Sequence, residues 1–472
     1  MNCFEDLGQL SIIQKDALIV KLRNELEQVR QENSQLKEQI ENLQKKVFEL
    51  EDKLTKPAKN SHNSSIPPSQ DNKPTKPSDD KQKKKRRQAS VGRKGGGREL
   101  HPNPDKRIVS RVKNCPHCGE GISEAQQSLF AVYDKIEIPP VKPVVTRVEQ
   151  YGGHCHHCGK DYVSPVPRGY EGGSPFGKSV ETLATYYRYT HALSYERLSR
   201  LFGEVYNLEI SEGSLANLFM RVKGLLGNRT EEILMRLRSS RLVCSDETGM
   251  RAKGGNEWEW VFQNDDVCVH VIRPSRGHTV IDEVMNGHKP EIWVSDLYGA
   301  QRANPAHKWQ VCLAHQLRDC QYGIEAGDSI FAPRMKKVLL RAFAIHKRRE
   351  RLKESTLYHY RCDLKRRLTQ CLSLTPTHKE GIRLQKRYKK IEDNLFLFLE
   401  DATIPPTNNG SERAFRMSKV FQKVTNCFRS DWGKELYASV RTVINTGKRQ
   451  GLSAFEAIKK ALSPVASFFA PT

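Results

Sequence analysis

Apolar residues step through the first segment of the chain in alternating threes and fours: Ile19, Leu22, Leu26, Val29, then Leu36, Ile40, Leu43, Val47, Leu50 and Leu54. In heptad terms Ile19, Leu26, Asn33, Ile40, Val47 and Leu54 occupy a, while Leu22, Val29, Leu36, Leu43 and Leu50 occupy d. A stripe with that period winds a helix against a partner, over about 50 Å at a rise of ~1.5 Å per residue. Asn33 is the polar exception. An amide at an a position costs stability, fixes the register and favours a parallel dimer. The pattern predicts a coiled coil over residues 1–55 that makes a homodimer, with a lone exposed amphipathic helix as the alternative.

Beyond Leu54 the periodicity stops. Residues 56–107 contain "KNSHNSSIPPSQDNKPTKPSDD", rich in Ser, Asn, Lys and Pro, and then "KQKKKRRQASVGRKGGGR", with nine basic residues and no acid. Such composition offers no core to offset the entropy of ordering, so a basic disordered linker is expected. Its cations Lys83, Lys84, Lys85, Arg86, Arg87, Arg93 and Lys94 suit DNA phosphates contacted without sequence preference, or else a solvated tether.

Residues 108–168 hold "LFAVYDKIEIPPV" and "VVTRVEQYGG", which read as β-strands. They lie between "NCPHCGEG" and "HCHHCGKD", each a C-x-x-C followed by Gly. Cys115, Cys118, Cys155 and Cys158 would close a tetrahedral shell around a structural Zn²⁺, making a zinc ribbon. His117, His156 or His157 could replace one thiolate, and a pair of redox dithiols is the competing reading. Residues 175–235 return to a helical period, with Ser211 as a plausible N-cap of the last helix. The short turn before it resembles a helix-turn-helix, suited equally to a DNA groove or to plain scaffolding.

From residue 236 to 450 short apolar runs alternate with helices. "SRLVCSDETG", "EWEWVFQ" and "VCVHVIR" read as strands, the last two joined by an Asn-Asp-Asp turn. "GHTVIDEVM" is a short helix, "EIWVSDLYG" a fourth strand, and "HKWQVCLAHQLRD" a fifth strand running into a helix. Three antiparallel strands, helix, strand, helical region, strand, helix is the order of an RNase H-like fold, so a mixed, multidomain α/β chain is expected. A basic α-helical insertion occupies about 320–402. Its Lys and Arg faces suit DNA phosphates or a solvated bundle. Residues 451–472 add a C-terminal helix and tail.

Composition narrows the partners. The 472 residues carry a formal net charge of +23, which points to a polyanion and to nucleic acid first. No apolar run is long enough to span a bilayer, and Met1 to Lys15 lacks a signal pattern, so a soluble intracellular protein with no membrane partner is expected. Of the 12 cysteines only four fall in C-x-x-C pairs, which fits a reducing compartment with one metal knot.

Two acids end strands: Asp246 the first and Asp296 the fourth. In an RNase H-like sheet those strands are neighbours, so the carboxylates can meet. A third acid, Glu412, lies in "TNNGSERAFRMSK", where a Pro-Pro pair and an Asn-Asn-Gly-Ser turn lead into a helix. Three oxygen donors suit Mg²⁺ or Mn²⁺, which would activate a water or a 3′-hydroxyl for in-line displacement. Glu412 shares a helix face with Arg416, Lys419 and Lys423, with Arg413 beside it, as a ligand next to a phosphate backbone would. An acid favoured by the helix dipole explains the same position. Glu247, next to Asp246, points to the other side of the strand, and pattern alone does not choose between them.

Taken in order, the coiled coil, "KNSHNSSIPPSQD", the two cysteine pairs, "SDET", "SDLYGA", "CLAHQLRD", "NNGSERAFR" and "CFRSDWG" resemble the transposases of the IS66 insertion-sequence family nearly end to end. The resemblance implies a DDE transposase with Asp246, Asp296 and Glu412 as its metal-binding acids. It also implies a supporting C-x-x-H signature at Cys312 and His315, with a second zinc site as the alternative. Tyr298 keeps the family's Tyr two residues beyond the second acid, whereas Leu297 replaces an expected Gly and Leu313 stands where relatives often carry an aromatic. The implied activity is metal-dependent cleavage at transposon ends and strand transfer into target double-stranded DNA. It would take place in the bacterial cytoplasm in association with the nucleoid, alongside small element-encoded accessory proteins. A non-catalytic repressor derived from a transposase, and an RNase H-like nuclease or resolvase, are the alternatives.

Overall fold

The computed structural model describes residues 11–64, 99–463 and 467–469. The basic residues Lys83, Lys84, Lys85, Arg86, Arg87, Arg93 and Lys94, and the side chains of Leu50 and Leu54 in the expected seam, lie outside the described residues.

The chain opens with α1 (Ile12–Thr55), followed by the short strands β1 (Gly152–His154) and β2 (Asp161–Val163). Three helices come next: α2 (Lys178–Thr190), α3 (Tyr195–Tyr206) and α4 (Glu212–Arg238). Then follow β3 (Leu242–Ala252), β4 (Gly255–Gln263), β5 (Cys268–Arg273), α5 (Thr279–Met285), β6 (Ile292–Ser295), α6 (Gly299–Arg302), β7 (Lys308–Val311) and α7 (Leu313–Glu325). The remainder is helical: α8 (Phe331–His346), α9 (Glu354–Leu372), α10 (Lys379–Ile391), α11 (Leu397–Glu400), α12 (Asn409–Thr425), α13 (Asp431–Arg449) and α14 (Ala454–Leu462). The fold is therefore mixed α/β, with a long N-terminal helix. Among the described residues no helix is long and apolar enough to cross a membrane.

Two compact units form. The first comprises residues 1–72, 233–250 and 256–416. Its sheet has the order β5-β4-β3-β6-β7. β4 and β5 are antiparallel, from Trp258 opposite Arg273 to Gln263 opposite Cys268. Their turn is built by Asn264, whose side-chain oxygen accepts the N–H groups of Asp266 and Val267 at 2.9 and 2.8 Å. β6 is parallel to both β3 and β7 and is buried along its whole length, as a central parallel strand covered on both faces should be. Leu313, Phe331, Leu339, Leu364, Leu384, Tyr388 and Phe398 form one core from α7 through α11, so the segment expected as a helical insertion is helical and shares the apolar interior of the strands. Leu297, in the place of a Gly, packs against that core.

In the same unit, α1 begins with a capping box between Ser11 and Gln14. Its seam residues stay half-exposed, from Ile19 at 48% to Leu43 at 59%. Asn33 donates to the Val29 carbonyl within its own helix at 3.0 Å. The stretch after α1 is less bare than its composition implies. Asn63 is only 1% exposed and donates to the Ala58 carbonyl at 3.0 Å and to Glu325 on α7 at 2.5 Å. A hydrogen-bonded amide anchors this loop where apolar residues are absent.

The second unit comprises residues 73–232, 251–255 and 417–472. The strands expected between the cysteine pairs do not form: residues 128–150 have no strand, and Phe130, Ile138, Val144 and Val145 lie exposed. β-propensity records what a side chain prefers on a pleated surface, and it makes a strand only where a neighbour supplies the ladder. Pairing occurs instead around the second cysteine pair, Gly152 with Val163 through His154 with Asp161. The helices gather on an aromatic cluster. Tyr189 stacks on Phe421, which meets Tyr437 at 4.6 Å between ring centres. α4 starts at Ser211, whose hydroxyl accepts the Ser214 N–H at 3.1 Å. Gly447 lets α13 and α14 touch, because a Cβ there would lie 2.3 Å from that of Ala457.

Candidate active site

β3 and β6 run parallel with Leu242 opposite Ile292, Val243 opposite Trp293 and Cys244 opposite Val294. Carried two residues further, that register sets Asp246 beside Asp296. Asp246 does not end its strand as expected: β3 runs on to Ala252, so the acid stands midway along it, while Asp296 follows the last residue of β6. Both are half-buried. Burial, and then the charges of Asp296 and Glu247, hold the Asp246 carboxyl well above the usual carboxylate range, against the pull of His315. Asp296 Oδ1 accepts the Tyr298 N–H at 2.9 Å at the turn into α6.

Glu247 belongs to the opposite face of β3. Gln301 on α6 donates to both Ser245 Oγ, at 3.2 Å, and Glu247 Oε2, at 2.8 Å, so residues 245 and 247 share one side and Asp246 takes the other. Trp293 holds Gln301 by donating to its carbonyl oxygen at 3.1 Å. Arg276 donates to Glu247 Oε1 from Nε at 3.1 Å and from Nη2 at 2.9 Å. Burial and the nearby charge of Asp296 raise the Glu247 carboxyl, while the bonds from Gln301 and Arg276 pull it back.

Cys312 links β7 to α7. Its N–H donates to the Ser295 carbonyl at 2.8 Å, and its sulfur accepts the N–H of Asn408 at 3.1 Å. Burial pushes the Cys312 thiol up, but His315 and the Asn408 N–H outweigh it and leave the thiol below its ordinary value. Burial likewise pulls the His315 imidazole down. The interaction with Cys312, helped by the charge of Asp246, outweighs that and lifts it to about 9. His315 and Arg318 lie three residues apart on one face of α7. Both approach Glu412 Oε1, His315 Nε2 at 3.9 Å and Arg318 Nη2 at 3.2 Å.

Glu412 is placed by the turn before its helix. Asn408 is 1% exposed. Its amide nitrogen donates to the Ser245 carbonyl at 2.6 Å, and its oxygen accepts the Ser411 hydroxyl at 2.7 Å. Gln263 on β4 donates to Ser411 Oγ at 3.0 Å. Gly410 makes that reach possible, since a Cβ there would meet the Gln263 amide nitrogen at 2.5 Å. Ala414 and Phe415 then pack on Val261 and Cys268 of β4 and β5.

The structure thus brings Asp246, Asp296 and His315 into one electrostatic neighbourhood and joins Glu412 to it through His315 and Arg318. Among the described residues no group of three or more His, Cys, Asp or Glu side chains stands ready to hold a metal ion. Arg413, Arg416, Lys419 and Lys423 are exposed on α12. Sequence reasoning missed Asn408, Arg318, Gln301 and Arg276. The Asn-Asn-Gly turn signalled the first, but its partner on β3 lies 163 positions away.

The two cysteine pairs fold alike. Cys115 donates its N–H to the Glu120 carbonyl at 2.7 Å, and Cys155 to the Lys160 carbonyl at 2.9 Å. Gly119 and Gly159 close the turns at φ of 78° and 66°. Backbone N–H groups in each turn, those of Cys118 and Cys158 foremost, hold the Cys115 and Cys155 thiols below their ordinary value. That favours the thiolate a metal would need.

The Transposase IS66 family matches residues 173–436, a stretch running from just before α2 into α13 that includes Asp246, Glu247, Asp296 and Glu412. That is more than half of the chain, and the chain belongs to this family. A family of unknown function (DUF6444) matches residues 13–102, which cover α1 and the stretch after it. No curated protein matches the chain.

Proposed function

We propose that this protein is a DNA transposase of the DDE type, with an RNase H-like core in which Asp246, Asp296 and Glu412 are the catalytic acids. The observation that carries this reading is the parallel β3–β6 register, which sets two carboxylates side by side, Asp246 midway along β3 and Asp296 just past the end of β6. The donor set fits a hard divalent cation. It consists of carboxylate oxygens, and the burial and the repulsion that together raise the Asp246 carboxyl are what a cation between the aspartates would offset. When bound, Mg²⁺ or Mn²⁺ would supply an activated oxygen nucleophile and charge stabilisation at the phosphate.

The chain's own residues do the rest. Asp246 and Asp296 would hold the cation, and Asn408 fixes the helix that carries Glu412. Arg318 and His315 hold the Glu412 carboxylate at the rim. Arg413, Arg416, Lys419 and Lys423, with the basic stretch from Lys83 to Lys94, bind phosphates and position the duplex. The reaction is hydrolysis of a phosphodiester at each element end, followed by attack of the freed 3′-hydroxyl on target DNA. α1 pairs two protomers, and the cysteine knuckles would hold one structural Zn²⁺.

The test uses the full chain with DNA of its own element's ends. Mg²⁺-dependent nicking by the unmodified protein, lost in Asp246→Ala while DNA binding persists, supports the enzyme. Binding without nicking supports a second reading, a repressor derived from a transposase. That reading draws on the engagement of Glu412 by Arg318 and His315.

A further inference from the structure

We infer that Arg276 is a positioning residue that buckles together the two neighbouring segments carrying Asp246 and Asp296, the middle of β3 and the turn after β6, an inference that rests on reading those aspartates as the working acids. Arg276 stands in the loop between β5 and α5. Nothing in its sequence context, "RPSRGH", marks it out from Arg273 three positions before. In space the two differ. Arg273 pairs with the half-exposed Glu283 at the surface, whereas Arg276 reaches Glu247, whose side chain is 1% exposed.

The guanidinium makes two kinds of contact at once. Its edge donates two hydrogen bonds to Glu247 Oε1. Its central carbon lies over two rings, 3.8 Å from the centre of Tyr298 and 4.4 Å from that of Trp258. A planar, weakly hydrated cation suits such a slot, and a lysine ammonium does not. Each contact leads one step further, to an acid. The Glu247 N–H donates to Asp246 Oδ1 at 3.0 Å. The Tyr298 N–H donates to Asp296 Oδ1 at 2.9 Å. One side chain therefore grips the residue beside the first aspartate and the residue that hydrogen-bonds the second.

Two consequences follow. The buried Glu247 carboxylate is compensated by Arg276 and Gln301, so it neither competes for a cation nor stands as an uncompensated charge. The separation of the two aspartates is also held by a rigid stacked group as well as by the sheet. Residues of this supporting kind change cation affinity by about tenfold or more when removed.

The experiment compares the unmodified full chain with Arg276→Gln and Arg276→Lys. Backbone amide exchange at Glu247 and Tyr298 is measured, together with the Mg²⁺ concentration giving half-maximal nicking of element-end DNA and the affinity for that DNA. In Arg276→Gln the two amides should exchange several-fold faster while those of β5 stay unchanged. The Mg²⁺ midpoint should rise about tenfold with DNA affinity intact. Arg276→Lys, which keeps the charge but loses the fork and the stack, should shift the same way and serves if the Gln variant does not fold. Unchanged exchange at Tyr298 overturns the buckle, whether or not the protein nicks DNA. Faster exchange with an unmoved Mg²⁺ midpoint overturns its role in placing the acids. Failure of the unmodified protein to nick sinks the enzyme reading instead, and the exchange result still decides whether Arg276 couples the two segments.

Discussion

Asn408 donates its side-chain amide to the Ser245 carbonyl at 2.6 Å, and that bond pins the helix carrying Glu412 to the strand carrying Asp246. The same residue accepts the Ser411 hydroxyl and gives its backbone N–H to Cys312. One buried amide thus ties α12, β3 and the start of α7 at a single point. Asn408→Ala leaves the Ser245 carbonyl and the Ser411 hydroxyl without these partners, at a cost of about 1–3 kcal/mol. Urea unfolding of the full chain reads that loss, and an unchanged midpoint would contradict it. Nicking should fall further than DNA binding.

Asp246 gives a pH test. Its carboxyl is raised in the folded chain, so the fold retains a proton that the unfolded chain releases. The associated stability is intact below the ordinary carboxylate value of about 3.9 and is lost as pH climbs through the raised value. Asp246→Asn removes that ionisation. In metal-free buffer at pH 8 it should melt at a higher temperature than the unmodified chain, and the gap should close in acid. Mg²⁺ should raise the melting temperature of the unmodified chain and leave the variant where it was.

Glu412→Gln separates chemistry from stability. Its side chain is 41% exposed, and its ion pair with Arg318 is partly solvated. Pairs of that kind contribute about 0–1 kcal/mol. The variant should keep its unfolding midpoint and lose Mg²⁺-dependent nicking. Full nicking by Glu412→Gln would remove this residue from the catalytic set.

The cysteine knuckles predict metal content. Elemental analysis of the purified chain should find about one zinc per protomer, and Cys118→Ser or Cys158→Ser should release it. Zinc-free protein with unchanged folding would leave the knuckles as mere turns.

The seam of α1 predicts an assembly state. Leu36→Lys combined with Leu43→Lys places charges on two d positions that are each half-exposed in the single chain. Light scattering should show the mass falling from dimer to monomer. A monomeric unmodified chain would end the coiled-coil reading.

Much of this protein was legible in one dimension because the relevant signals are local. The period of α1, the strand order from β3 to β7, the Asn264 turn and the capped start of α4 each depend on neighbours a few positions apart. That β3 and β6 are neighbours could be expected from the order of the elements, but not that β3 runs on past Asp246 to Ala252. The stretch from 128 to 150 shows the limit, since side chains that favour a strand found no neighbouring ladder there.

What the sequence by itself determined is the inventory: which acids, which helices, which turns, and the family they belong to. Tertiary structure decided who faces whom. Strand alternation sends Glu247 and Asp246 to opposite faces of β3, but only Gln301 and Arg276, which bind the Glu247 carboxylate, decided that Asp246 is the one beside Asp296. Glu412 came to His315 and Arg318 because Asn408 found a carbonyl on β3. Asn63 was buried because Glu325 stood ready to accept its amide. Hydrogen bonds and charges act through space at about 3 Å, and no spacing along the chain encodes which distant partner will arrive there.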